Sequence, residues 1–118
     1  RKFGRIVMIS SVAALLPRAA QIHYSASKAG VIALTRCCSD AFAPHNVRVN
    51  CIAPGLIDTD MAKVLSDEQT ELLMKITPMG RLGKSEEIAQ LGCFLLSEKS
   101  SFMTGQTVVA SGGRVTLP

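Results

Sequence analysis

Tyr24-Ser-Ala-Ser-Lys-Ala-Gly-Val-Ile-Ala-Leu-Thr-Arg-Cys-Cys-Ser-Asp-Ala-Phe42 is followed, after Ala43-Pro-His-Asn46, by Val47-Arg-Val-Asn-Cys-Ile-Ala53. The first segment holds no Pro, and Ala26, Ala29, Gly30, Ala33, Cys37 and Ala41 recur at spacings of three and four, one helical stripe of small side chains. Val31, Ile32, Leu34, Cys38 and Phe42 fall off that stripe, so the helix is apolar over most of its circumference. This predicts cover on more than one side, with the small stripe packed closely against a sheet. Pro44-His45-Asn46 stops the helix, and Val47–Ala53 reads as a strand ended by Pro54-Gly55.

Upstream, Arg5-Ile-Val-Met-Ile-Ser10 is a short β-branched run without helical period, the pattern of a strand buried on both faces of a parallel sheet. Strand, helix, strand is the βαβ unit, with parallel strands and a right-handed crossover. Downstream, Leu56 to Pro78 mixes polar and apolar residues, with a capping box at Ser66-Asp-Glu-Gln69 opening a helix that Pro78 ends. So long an excursion off a strand end suits a lid. Ser85 reads as the cap of a further helix with Ile88, Leu91, Leu95 and Leu96 on its core face, and Gln106–Ala110 as a third strand broken by Ser111-Gly112-Gly113.

Composition narrows the function. The chain has 118 residues, 47% of them hydrophobic and 19% charged, the balance of one globular domain. Its net charge of +4 comes from scattered residues, with no Trp and a single Tyr to stack on bases, which argues against nucleic-acid binding. No apolar run approaches the ~18 residues of a membrane span, and the amino end lacks a signal-peptide core. Cys37, Cys38, Cys51 and Cys93 form no C-x-x-C, and with only His23 and His45 beside them no metal set emerges. They read as buried free thiols, placing the protein inside the cell, in the cytoplasm. The chain opens on Arg1 rather than Met, with strand-like sequence within five positions, and reads as part of a longer protein.

The chemistry concentrates on Tyr24-Ser-Ala-Ser-Lys28, with Ser11 thirteen residues upstream at the carboxyl end of the first strand. Residues four apart share a helix face, and a Lys in the first turn opposes the helix dipole, which invites a functional explanation. A phenol with an ordinary pKa of about 10 is a poor acid at neutral pH, and a neighbouring ammonium favours the phenolate. A Ser hydroxyl nearby could hydrogen-bond the substrate oxygen. Y-x-x-x-K alone recurs by chance. Pro54-Gly55 lies at the same carboxyl edge, where ligands bind in open parallel sheets. Gly83-Lys84-Ser85 ends like a P-loop, but Pro78 stands where its first Gly is required, and neither G-x-G-x-x-G nor G-x-S-x-G occurs.

Taken together, Ser11, Tyr24-x-x-x-Lys28, Asn50-x-x-x-Pro54-Gly55 with Ile57-x-Thr59, and Thr104-Gly105-Gln106 before Ser111-Gly112-Gly113 resemble the short-chain dehydrogenase/reductase family, nearest its 3-oxoacyl-acyl-carrier-protein reductases and carbonyl reductases. The resemblance implies an α/β fold: the carboxyl half of a Rossmann-type doubly wound parallel sheet, with three strands and about three helices. It implies a single partial NAD(P)-binding domain over residues 1–118, the amino-terminal cofactor-binding half being absent. It implies hydride transfer between NAD(P)H and a small ketone or secondary alcohol, NAD or NADP being undetermined. Tyr24 is then the acid/base, Lys28 its helper and the holder of the ribose hydroxyls, and Ser11 the substrate-oxygen donor. Pro54, Gly55, Ile57 and Thr59 would contact the cofactor, and Asp60 to Thr77 would form the lid.

The Gly-rich turn, the adenine-side selector and a fourth catalytic Asn belong to the amino half, so the 118 residues alone are expected to be inactive. The competing expectation is a silent fragment that keeps only self-association surfaces; an isomerase or dehydratase fits the three residues less well. Because the helix is apolar nearly all round, and because family members form dimers and tetramers through it and the last strand, a homodimer or homotetramer is expected.

Overall fold

The computed structural model describes residues 2–118; Arg1 lies outside them. Three strands form the main sheet: β1 (Gly4–Ile9), β2 (Val47–Pro54) and β5 (Thr107–Ala110), in the order β1-β2-β5 and all parallel. The expected strand, helix, strand unit is present, with α1 spanning Ile22–Phe42 between β1 and β2. Two further strands, β3 (Ile57–Asp58) and β4 (Gly83–Lys84), pair with each other in a separate small sheet that the sequence reading did not contain. Two residues are too few to show any period.

β2 is the core of the molecule: Val49, Cys51, Ile52 and Ala53 are fully buried. Its neighbours reveal the layering. Cys51 faces Thr35 of α1, whereas the Ile52 side chain reaches Gly92 of α3 (Ser85–Leu96). Successive strand residues point to opposite faces, so α1 and α3 cover opposite sides of the sheet in a three-layer α/β arrangement. β1 is less enclosed than its sequence predicts, with Ile6 and Ile9 exposed, because it forms one margin of the sheet.

α1 turns the face opposite to the one predicted. Ala26, Ala29, Gly30, Ala33, Cys37 and Ala41 are exposed, while Val31, Ile32 and Cys38 are half-buried and Thr35 and Ser39 are buried. The two hydroxyls can enter the core because each is satisfied inside the helix, Thr35 donating to the Val31 carbonyl at 2.8 Å and Ser39 to that of Arg36 at 2.8 Å. Of the four free cysteines only Cys51 is buried, which pushes its thiol up; Cys37 and Cys93 are exposed, against the reading of all four as buried.

The Ser66 capping box forms as read, with Gln69 N–H on the Ser66 hydroxyl at 3.1 Å and Ser66 N–H on the Gln69 side chain at 3.0 Å, and opens α2 (Asp67–Lys75). At α3 the cap is Lys84 rather than Ser85, since its N–H donates to the Glu87 carboxylate at 2.8 Å, and Leu96 turns outward.

Arg48 ties the sheet to α3. Its guanidinium, in a side chain only 7% exposed, donates to the carbonyls of Leu95 at 3.1 Å, Ser97 at 2.8 Å and Met103 at 3.2 Å, and to the Ser100 hydroxyl at 3.2 Å. Burial and then Arg5 push it below its ordinary value, with Glu98 opposing, and the group remains a cation set among the free carbonyls at a helix carboxyl end. Asn50 holds the next loop from both sides, donating to the Met103 carbonyl at 2.9 Å and accepting from Gln106 N–H at 3.1 Å. Replacing Arg48 by Met takes a charged donor from each of those carbonyls, leaving Met103 only its bond from Asn50 and leaving Leu95 and Ser97 to compete for the Ser100 hydroxyl, and should lower the unfolding free energy of the intact protein by about 2 kcal/mol. Urea denaturation reads this directly, and a loss under about 1 kcal/mol would contradict the role given to Arg48.

Candidate active site

The carboxyl ends of β1 and β2 lie side by side, since Ile9 pairs with Ile52 and Ser10 N–H donates to the Ile52 carbonyl at 2.8 Å. β1 therefore delivers Ser11, and β2 delivers Pro54 and Gly55, to one edge. Ser11 sits in extended backbone (φ −164°, ψ 155°) and caps the single helical turn Val12–Ala14, accepting from Ala13 N–H at 3.1 Å. Its hydroxyl proton stays available to a ligand.

α1 is brought to this edge by two hydrogen bonds. The buried Ser10 hydroxyl donates to the Lys28 carbonyl at 2.7 Å, and the Lys28 ammonium donates to the Ile9 carbonyl at 3.1 Å. The ammonium lies 5.7 Å from the centre of the Tyr24 ring, so Tyr24 and Lys28 share a face as their spacing predicts. The helix begins at Ile22, which puts Lys28 in its second turn rather than its first. The carbonyl at the strand end, not the helix dipole, is what engages this charge. Ser10 has no signature in the sequence beyond standing beside Ser11, and its part emerges only from the structure.

Gly55 N–H donates to the Ala110 carbonyl at 2.9 Å, and a Cβ there would lie 2.8 Å from the Ser111 backbone. Only glycine allows the chain to pass this close. Beyond it, Leu56 accepts from Gly83 N–H at 3.0 Å and β3 pairs with β4, which carries Ile57 into the second sheet, with Thr59 in the bend that follows. The Thr59 hydroxyl donates to the Ile57 carbonyl at 3.5 Å, and the Thr59 carbonyl accepts from Ala62 N–H at 2.9 Å. The expected residues thus fall into two groups, Ser11, Tyr24 and Lys28 around β1, and Gly55, Ile57 and Thr59 around β3, with Pro54 ending the strand between them.

A cavity of about 230 Å³ lies on the β3 side, lined by Leu56, Ile57, Met79, Arg81, Glu87 and Ser111 among others. The three catalytic candidates do not line it; beside them runs an open groove along Ala13–Ala19 and Ile22. Among the described residues no helix is long and apolar enough to cross a membrane.

The donors suit a nicotinamide nucleotide. Among the described residues Lys28 has one protein acceptor for three N–H groups, the Tyr24 hydroxyl has none, and Ser11 retains its proton.

The family model described as enoyl-(acyl carrier protein) reductase matches residues 1–114. With that match, the chain belongs to the short-chain dehydrogenase/reductase family. It is 44% identical over 110 residues to a 3-oxoacyl-[acyl-carrier-protein] reductase of Chlamydia pneumoniae, covering 93% of this chain and 44% of that protein. To the enzyme of the same name from Aquifex aeolicus it is 43% identical over 113 residues, covering 96% and 46%.

Among solved structures, a 3-oxoacyl-[acyl-carrier protein] reductase from Brucella melitensis superposes with a TM-score of 0.88 at 38% identity, covering 93% of this chain and 42% of that one. A gluconate 5-dehydrogenase from Burkholderia cenocepacia, in complex with NADP and tartrate, gives 0.93 at 34% identity, covering 97% and 46%. The Rossmann-type parallel α/β fold is shared with these neighbours. The chain spans less than half the length of the curated relatives it matches.

Gly55→Ala is expected to cost about 1–3 kcal/mol of stability by forcing β2 and Ser111 apart. Thermal unfolding of the intact protein tests it, and an unchanged midpoint would show that the turn yields freely.

Proposed function

We propose that the protein to which this chain belongs is a nicotinamide-dependent oxidoreductase that interconverts a small ketone and a secondary alcohol. The observation that supports this best is the convergence of Ser11, Tyr24 and Lys28 on one strand end, where the Ser10 and Lys28 hydrogen bonds fix their elements. NAD and NADP are both admitted, because no residue described here reads the adenine side.

When bound, the reduced nicotinamide supplies the hydride. Tyr24 gives the phenolic proton to the carbonyl oxygen as the new C–H bond forms, and takes it back in the reverse direction. Ser11 donates a hydrogen bond to that oxygen, which bears more negative charge as reaction proceeds. Lys28, anchored on the Ile9 carbonyl, offers its remaining N–H groups to the ribose hydroxyls. Gly55, Ile57 and Thr59, with Pro54 before them, would hold the nicotinamide end. Residues 1–118 alone are proposed to be inactive, since they contain no Gly-rich turn for the pyrophosphate. Tyr24→Phe in the intact protein removes the proton and keeps the ring, and is expected to lower turnover by ~10²–10⁴-fold with the fold retained. Near-normal turnover at pH 7 would refute the assignment. An intact protein that binds no nicotinamide dinucleotide yet self-associates would favour a silent fragment.

We also propose that the protein is a homodimer or homotetramer. The support is the outward face of α1, where Ala29, Gly30, Ala33 and Cys37 offer a smooth exposed surface that lets a second helix approach closely. Ile32, half-buried toward the sheet, is the wrong position to probe it. Ala33→Glu should convert the oligomer to a smaller species in sedimentation without unfolding it. An intact wild-type protein that sediments as a monomer at micromolar concentration would exclude this.

A further inference from the structure

β3 is two residues long and hydrogen-bonds to no strand of the main sheet, so the segment that carries Ile57 and Thr59 has little stability of its own. Among the described residues its only strand partner is β4, and β4 is held from the far side by a side-chain constellation. Arg81 grips Glu87 with both ends of its guanidinium, Nη2 on Oε1 at 2.7 Å and Nη1 on Oε2 at 2.9 Å, and Nη1 also reaches the Leu82 carbonyl at 2.9 Å. The same Oε2 accepts from Lys84 N–H at 2.8 Å, in β4 itself. Gly83 is pressed by Ile57 so closely that a Cβ there would lie 2.6 Å from the Ile57 side chain.

We infer that the Arg81–Glu87 pair is a positioning device for the nicotinamide end of the site, fixing β4 and through it the backbone and side chain of Ile57. This inference rests on the proposed function. Several observations bear on it. A planar, two-pronged pair defines orientation as well as distance, which a Lys in place of Arg81 could not do. Both side chains are 44% exposed, and a pair so placed contributes little to global stability, so its effect is local. Arg81, Glu87 and Ile57 line the same cavity. The hydrogen bonds from Arg81 and Lys84 hold the Glu87 carboxyl at about 2, below the ordinary 4.5. Because the folded value is the depressed one, the pair is fully formed above pH 4.5 and is lost only as pH falls toward 2. The device is therefore closed across the neutral range.

The experiment compares wild type with Arg81→Met and Arg81→Lys in the intact protein, measuring by calorimetry the binding of whichever of NADPH and NADH the wild type takes and of its matching ADP-ribose, 2′-phosphorylated where that is NADPH, which lacks the nicotinamide alone. Amide hydrogen exchange of Ile57, Asp58 and Gly83 is followed in parallel. Arg81→Met is expected to weaken the dinucleotide about tenfold, leave ADP-ribose unchanged and speed exchange at the three amides; Arg81→Lys should fall between. Unchanged dinucleotide binding overturns the inference, and so does equal weakening of both ligands, which would mean general loosening. Should Arg81→Met fail to fold, Glu87→Gln takes its place, since its amide oxygen still accepts from Lys84 while the charged fork is lost. A wild type that binds neither ligand overturns the functional reading and this inference with it; one that binds both, with a variant that binds both equally well, overturns this inference alone.

Discussion

The buried guanidinium of Arg48 is the constraint on which the rest of the structure hangs. A strand buried along its whole length can fix only its immediate neighbours through the backbone ladder; Arg48 reaches past the ladder to α3, to the turn after it and to the loop before β5. Four acceptors converge on one cation without a carboxylate among them. The carbonyls share the Asn50 amide and the Ser100 hydroxyl as further donors, and without them the cation would be an unsolvated charge, so the cluster is satisfied as a unit. Asn50 and the Thr104 hydroxyl, which accepts from Val49 N–H at 3.0 Å, continue the same logic along β2. Gly105, at φ +73° and with Ser39 where a Cβ would be, lets the loop close onto α1.

With β2 anchored at its start, its far end is free to be chemical. β1 and β2 end in step, and the loops that leave them bend apart, one toward α1 and one toward the β3–β4 ribbon. The proposed function then divides between residues held by the main sheet and residues held by the small one. Ser11, Tyr24 and Lys28 belong to elements that the main sheet and α1 hold directly, whereas Ile57 and Thr59 depend on a four-residue ribbon. That division suits a site in which proton transfer demands fixed geometry while a ring must enter and leave.

What the sequence disclosed, and what it withheld, follows from the range of the forces involved. Arg5–Ser10 was legible because its β-branched run has no helical period, although its burial on both faces is not met, Val47–Ala53 because a β-branched segment lies between the Pro44 and Pro54 breaks, and Ser66–Gln69 because a capping box is local. The face of α1 was misread because Thr35 and Ser39 count as polar, although their hydroxyls are spent within the helix and cost nothing to bury. Ser11, Tyr24 and Lys28 stood out through spacing. Their supports did not: the Ile9 carbonyl has no side-chain signature, Ser10 resembles any serine, and Arg81 meets Glu87 across a turn to which no short-range rule applies. β3 and β4 were invisible for the same reason, since their pairing joins residues that only the path of residues 59–82 brings together.

Among the described residues β1 pairs along one side, with β2, and two of its six residues, Ile6 and Ile9, are exposed. Its other side presents a row of peptide N–H and C=O groups flanked by apolar side chains, with no proline in the strand to discourage a visitor. Such a margin is a template onto which any extended chain can add, another copy included. A preparation of these residues by themselves would therefore meet its first difficulty in colloidal behaviour, well before any question of chemistry arose. Low protein concentration, or a charged residue in place of Ile6, is the remedy that the strand itself suggests.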